Sequence, residues 1–355
     1  GKTMPKLKTL FAITLLLSFT LLEAQETYDR EFRHIIEEMV HEGNISSVSK
    51  VACRQGNCRI DDLVVVTTDD ESGVHSSLSV AQFNVVNVEN FLEFNHKGSV
   101  LKEGDERQFG FEFKDIQVDG HNLLFDEQKM AQEFGDKSAL YQYFKKYLDS
   151  PTDGNYMLKM KKESGDVKME DNGKLSIGKF QLTAMTRYTI KGGFEKLDAL
   201  SQENPVGMLS YIVINSIEIQ LKNPKGFLRK LLYLNYKQQM QEAAQKGERA
   251  KINESYYILD DNVHSEKEFG EMLRVNAHIK IKELAETEPA FNAILNPHRQ
   301  FEKKVDAVFS GRSERCSIQI ENPHGLSLGD FFIIFMGYTM QEEFVVKPDI
   351  TITIK

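Results

Sequence analysis

The sequence predicts an α+β fold: antiparallel β-sheets with helices packed on one face, elongated, and built from duplicated strand-turn-helix modules. Three observations lead there. Several stretches alternate apolar and polar residues between clusters of Gly, Asn, Asp and Ser, as half-buried antiparallel strands do. Others repeat apolar residues at i, i+3 and i+4, the spacing of an amphipathic helix. The segment Ile-Gln-x-x-Asn-Pro-x-Gly occurs twice, at Ile219–Gly226 and Ile318–Gly325.

Lys2, Lys6 and Lys8 precede the uncharged run Leu10–Leu22, which Glu23, Ala24 and Gln25 follow. This is the basic start, short apolar core and small cleavage residue of a secretory signal. Cleavage after Ala24 is expected, with an uncleaved anchor as the alternative because Leu22 is a poor −3 residue. The run falls short of the roughly 20 residues that cross a bilayer. The longest later apolar run, Phe331–Met336, is shorter still, so no membrane span is expected in the mature chain.

Tyr28–Glu42 reads as a helix with Phe32, Ile35, Ile36, Met39 and Val40 on one face. From Ile60 to Phe113 the pattern is β, broken at Asp69–Gly73 and Lys97–Asp105. A second helix is expected from Asp126 to Leu148, interrupted at Gly135. Tyr156, Leu158 and Met160 then alternate, with turns expected at Ser164-Gly165-Asp166 and again at Asn172-Gly173, since Asn-Gly favours a type I′ hairpin. A strand near Met208–Leu221 leads through Asn223-Pro224-Lys225-Gly226 into a helix with Leu228, Leu232, Tyr236 and Met240 along one ridge. Helices follow at Glu266–Glu286 and, after Pro289 and Pro297, up to Phe309. Strands close the pattern at Cys316 and at Ile350–Ile354, around an apolar helix or turn near Phe331–Met340.

The expected organisation is a signal over 1–24, an N-terminal α+β region over 25–205 and a C-terminal α+β region over 206–355. In the repeat, Asn-Pro ends a strand and Gly frees the chain to begin a helix. A phosphate-cradling turn is the competing reading, and the Gly-rich spacing it needs is missing. A fainter third copy starts at Ile116-Gln117-Val118.

Composition narrows the function. A formal charge of −9, made more negative by removal of the basic leader, with no Trp and no basic cluster, fits nucleic acid poorly. Cys53 and Cys58 enclose a Gly-Asn turn signal, and an oxidising compartment would let them form a disulfide across a hairpin. Their C-x₄-C spacing is not the redox C-x-x-C, and no second ligand pair suggests zinc. Cys316, in an alternating run, reads as a small core residue.

Hydrolase, zincin, P-loop and dinucleotide motifs are missing from the sequence. The metal or acid-base candidates are His34, Glu38 and His41, whose spacing puts them on about one helix face. His121, His264, His278, His298 and His324 are scattered, and the pairs Asp260-Asp261 and Glu342-Glu343 carry no geometry by themselves. No cofactor is expected. The reading that follows is an exported, periplasmic protein of non-enzymatic type, binding a hydrophobic ligand such as lipid or an envelope partner. The alternatives are a metal-dependent hydrolase built on the first-helix cluster and a purely structural or interaction protein.

Overall fold

The computed structural model describes residues 28–69, 72–96, 101–247, 263–287, 298–340 and 351–355. The leader, Asp260-Asp261, Pro289, Pro297, Glu342-Glu343 and Ile350 lie outside them. The fold is mixed α+β with antiparallel strand pairing. In chain order the elements are α1 (Tyr28–His41), β1 (Lys50–Arg54), β2 (Asn57–Thr68), β3 (His75–Val86), α2 (Val88–His96), β4 (Glu106–Val118), β5 (His121–Asn122), α3 (Glu127–Phe134), α4 (Ala139–Leu148), β6 (Thr152–Glu163), β7 (Asp166–Ile177), β8 (Phe180–Ile190), α5 (Gly193–Glu203), β9 (Ile212–Lys222), α6 (Phe227–Lys246), α7 (Glu266–Thr287), α8 (His298–Phe309), β10 (Arg315–Glu321), α9 (Leu328–Met340) and β11 (Thr351–Ile354).

The chain divides into two units that interleave in sequence. One holds residues up to Asp126, Leu148–Gly178 and Arg187–Tyr211; the other holds Glu127–Tyr147, Lys179–Thr186 and Ile212–Lys355. The last crossing lies between Tyr211 and Ile212. The second unit also draws two segments from the region expected to be N-terminal.

In the first unit, β1, β2, β3, β4, β6 and β7 lie in that order. Side chains form rows across the ladder: Cys58, Val85 and Phe111; Ile60, Phe83 and Phe113; Leu63, Val80 and Ile116; Val65, Leu78 and Val118. Within each strand the buried positions keep period two and then slip by one. The slip falls between Ile60 and Leu63 in β2, between Val80 and Phe83 in β3, and between Phe113 and Ile116 in β4. Two residues with left-handed backbone absorb it, Asp62 at φ 52 and Asp115 at φ 50. Asp tolerates that region better than most residues, because its short polar side chain bonds locally. Ser49 Oγ donates to Asp62 Oδ2 at 2.7 Å, and Gln117 Nε2 donates to Asp115 Oδ1 at 3.1 Å.

Against these rows α1 buries Phe32, Ile35, Ile36 and Met39, and α2 adds Val88, Phe91 and Leu92. Helix α2 lies within a stretch read from sequence as β. Its Val88, Phe91 and Leu92 have i, i+3, i+4 spacing, but the helix is only 9 residues long, too short to stand out beside the strands around it.

Two further expectations are corrected. Asn172-Gly173 is not a turn but lies in mid-strand, with Gly173 opposite Tyr156. The turn is made by Ser164 (φ 55) and Gly165 (φ 81), and the ladder it starts runs unbroken from Asp166 to Ile177. On the neighbouring strand β6 it is Gly154 that serves packing: a Cβ on it would lie 2.4 Å from Phe113 Cζ, so the Phe113 ring occupies that space. The ridge on α6 also loses one member: Leu228 is exposed, whereas Tyr236 is buried, Leu232 and Met240 pack beside it, and Phe227 and Ala243 are buried as well. Tyr236 stacks on Phe269 of α7, with ring centroids 5.0 Å apart, and Leu273 and Ala243 complete that core.

Candidate functional site

In the second unit β9, β10 and β11 lie side by side. Both Asn-Pro-x-Gly segments are here. Ile219 is the direct partner of Ile318, Leu221 of Cys316 and Ile217 of Ile320. This register places equivalent positions of the two segments around a local two-fold axis through the Ile219–Ile318 pair. The flanking bonds obey the same symmetry: Asn223 N–H donates to Glu314 O at 2.8 Å, and Asn322 N–H donates to Asn215 O at 2.9 Å.

The segments diverge after that. In the first, Gly226 (φ 70) caps α6 directly. In the second, Gly325 (φ 63) is followed by Leu326 and Ser327 before α9 begins, and Ser327 bridges Val213. Asn322 is buried and knits this longer turn, donating to Ile214 O at 2.8 Å and Leu326 O at 2.9 Å and accepting from Leu326 N–H at 3.0 Å.

From Ile217 onward one face of these strands is apolar: Ile217, Ile219 and Leu221 on β9, Cys316, Ile318 and Ile320 on β10, Ile352 and Ile354 on β11. Its cover is uneven. Ile352 and Ile354 are 8% and 9% exposed beside α8, whose Gln300 Oε1 accepts the Ile354 N–H at 3.2 Å. Ile219, Leu221 and Ile318 are 41%, 40% and 38% exposed. The result is an apolar strip open to solvent, the kind of surface that marks an interaction site when it is contiguous. Cys316 lies on it and is half-buried, which corrects the expectation of a core residue. The strip escaped the sequence because Ile-Gln-Leu and Ile-Gln-Ile alternate as any covered strand does.

The outer face of the first unit is of another kind. Ser49, Lys50, Asp61, Asp62, Ala81, Gln82 and Lys114 line a shallow depression where the strands slip. Asp61 pairs with Arg59 at 2.9 Å and Asp62 with Ser49, so these carboxylates are already engaged.

Of the first-helix candidates, the structure joins two. His34 Nε2 lies 3.2 Å from Glu38 Oε1, while His41 is exposed at the end of α1. Among the described residues these three do not form a cluster of close ligand atoms; Asp29, Cys53 and Cys58 do. The Cys53–Cys58 disulfide is present, across directly opposed residues of β1 and β2. The turn that brings them together is Gln55-Gly56 (φ 52 and 77), one residue earlier than the Gly-Asn signal implied.

His278 Nε2 lies 2.6 Å from Asp306 Oδ1, with Arg274 Nη1 at 3.5 Å from the same oxygen. The hydrogen bond from His278 holds the Asp306 carboxyl below the usual range. The group ties α7 to α8, which is a structural use. His121 pairs with Asp126 at 3.7 Å. Asp171 accepts from the Tyr156 hydroxyl at 3.4 Å, and burial pushes the pKa of Tyr156 up.

Fold and surface together define an α+β protein with an exposed apolar strip on its second unit. No protein-family model matches the sequence, and no curated protein is detectably similar to it.

Proposed function

We propose that the chain is an exported, non-enzymatic binding protein that docks the apolar surface of an envelope partner on the β9–β10 strip. The observation that carries this reading is the exposure of Ile219, Leu221 and Ile318 on a face whose other end is covered. A strand pair offers area without enclosure, which suits a partner's side chains better than a single acyl chain. Export is supported by the basic and apolar pattern of residues 2–24 and by the Cys53–Cys58 disulfide, since disulfides persist in oxidising compartments. Periplasmic residence is part of the same proposal. The local two-fold through Ile219 and Ile318 supports descent of the two segments from one duplicated module.

The test is native mass spectrometry of protein recovered from its exported fraction, comparing wild type with the Ile219→Ser/Ile318→Ser double variant. A partner protein retained by the wild type and lost by the variant, with unchanged circular dichroism, is the expected result. Loss of a bound lipid instead would favour the hydrophobic-ligand reading. Equal recovery of every bound species would overturn the strip. N-terminal sequencing of that material should begin at Gln25, and a chain that still carries Met4 would refute cleavage.

A further inference from the structure

A separate feature of the first unit goes beyond this reading. The turn Gln55-Gly56 closes the β1–β2 hairpin, and Arg54 pairs with Asn57, so Cys53 and Cys58 occupy the next, closely approaching position of the ladder, their Cα atoms 4.0 Å apart. The pairs on both sides, Arg54 with Asn57 and Ala52 with Arg59, hold the two residues opposed whatever the state of their sulfurs. A third donor comes from another element. Helix α1 packs on β1 and β2, and this brings a carboxylate oxygen of Asp29, in its first turn, to within 4.8 Å of both sulfurs. Cys58 is fully buried, whereas Asp29 and Cys53 are half-buried and leave one side open.

We propose that reduction of this disulfide converts the hairpin into a zinc site, with Cys53 Sγ, Cys58 Sγ and the Asp29 carboxylate as ligands and solvent in the fourth position. Two thiolates and one carboxylate form a donor set that Zn²⁺ accepts in tetrahedral geometry. The chemistry balances with a dithiol as reductant. The dithiol gives two electrons and two protons, the Cys53–Cys58 bond breaks, and the reductant leaves as its own disulfide. Zn²⁺ then displaces the two thiol protons. A disulfide oxidant reverses the sequence: it takes the two electrons from the thiolates and two protons from solvent, leaves as its own dithiol, and Zn²⁺ is released as the Cys53–Cys58 bond re-forms, so the site binds zinc only in reducing surroundings. Sequence spacing alone hid it, because the third ligand arrives from a helix more than twenty residues earlier.

The experiment uses the full chain, untreated or reduced with a phosphine that is then removed without air. Zn²⁺ uptake is followed by equilibrium dialysis, and Co²⁺ by its thiolate charge-transfer and tetrahedral absorption. One metal ion per reduced chain and none per oxidised chain is expected, with Cys316→Ser behaving as wild type. Cys58→Ser should abolish uptake. Asp29→Asn should weaken it by about tenfold or more, the scale seen when a zinc site loses even an outer partner. Because Cys58→Ser removes a buried core group, the Asp29→Asn arm and the cobalt spectrum keep the test decisive if that variant misfolds. No uptake by reduced protein with unchanged circular dichroism would overturn the site. Equal affinity in Asp29→Asn would overturn the three-ligand assignment.

Discussion

Ile219 and Ile318 face each other directly across the β9–β10 pair, each holding in its own Asn-Pro-x-Gly segment the place the other holds in its copy. The axis between them relates the strands and the bonds of Asn223 and Asn322, but it does not extend to the glycines, whose surroundings differ.

That difference makes the two glycines unequal under mutation. A Cβ on Gly226 would meet the Gly311 carbonyl oxygen at 3.0 Å, whereas one on Gly325 would find only Val213 Cγ1 at 3.8 Å. Both hold positive φ. Gly325→Ala should cost about 1 kcal/mol from backbone strain alone, and Gly226→Ala about 2 kcal/mol. Urea unfolding of the two variants measures this, and equal losses would show that the Gly311 contact is irrelevant.

The asparagines should also separate. Asn322→Ala leaves half-buried backbone groups of Ile214 and Leu326 without this partner and should cost about 2 kcal/mol. Asn223, half-buried, contributes its backbone N–H to the symmetric pair, which alanine keeps; about 0.5 kcal/mol or less is expected there.

The slip in the first unit's strands depends on left-handed backbone at Asp62 and Asp115. A β-branched residue resists that conformation most strongly. Asp115→Val should therefore destabilise by about 1 to 3 kcal/mol, and Asp115→Gly by clearly less. If valine and glycine prove equivalent by thermal unfolding, backbone strain at this position is not what sets the slip.

Tyr28 gives a pH signature. Its hydroxyl donates to Glu93 Oε1 at 2.6 Å, linking α1 to α2, and this bond to a carboxylate pushes its pKa up from 10.0 to about 12. A raised folded-state pKa means that the contribution is fully present below the unfolded value and is lost as pH rises toward 12. Wild type should exceed Tyr28→Phe by about 1 to 2 kcal/mol at neutral pH, and the gap should close above pH 10. A gap independent of pH up to 12 would show that the hydroxyl is not the source.

Thiol labelling of native protein should find Cys53 and Cys58 unreactive until reduction. Cys316, half-buried on the strip, should react slowly without unfolding. Complete protection of Cys316 in native protein would mean that its stretch of the strip is covered.

Local rules made much of this protein legible in its sequence. Phe32, Ile35, Ile36 and Met39 could share only one helix face, so α1 followed from spacing. Gly135 at φ 80 broke the second helix where glycine is the cheapest breaker, and Ser164-Gly165 turned its hairpin. Two cysteines flanking a two-residue turn could hardly avoid each other. Tertiary structure decided whatever depended on partners distant in the chain. Asn172-Gly173 stayed in a strand because the β6–β7 ladder already paired both residues, and a turn would have forfeited those bonds. The inward phase of β2, β3 and β4 slipped because three strands must slip together to keep one core face. Whether Ile219, Leu221 and Ile318 are core or surface was decided by which helices lie over β9 and β10, since alternation says which residues share a face and never what covers it.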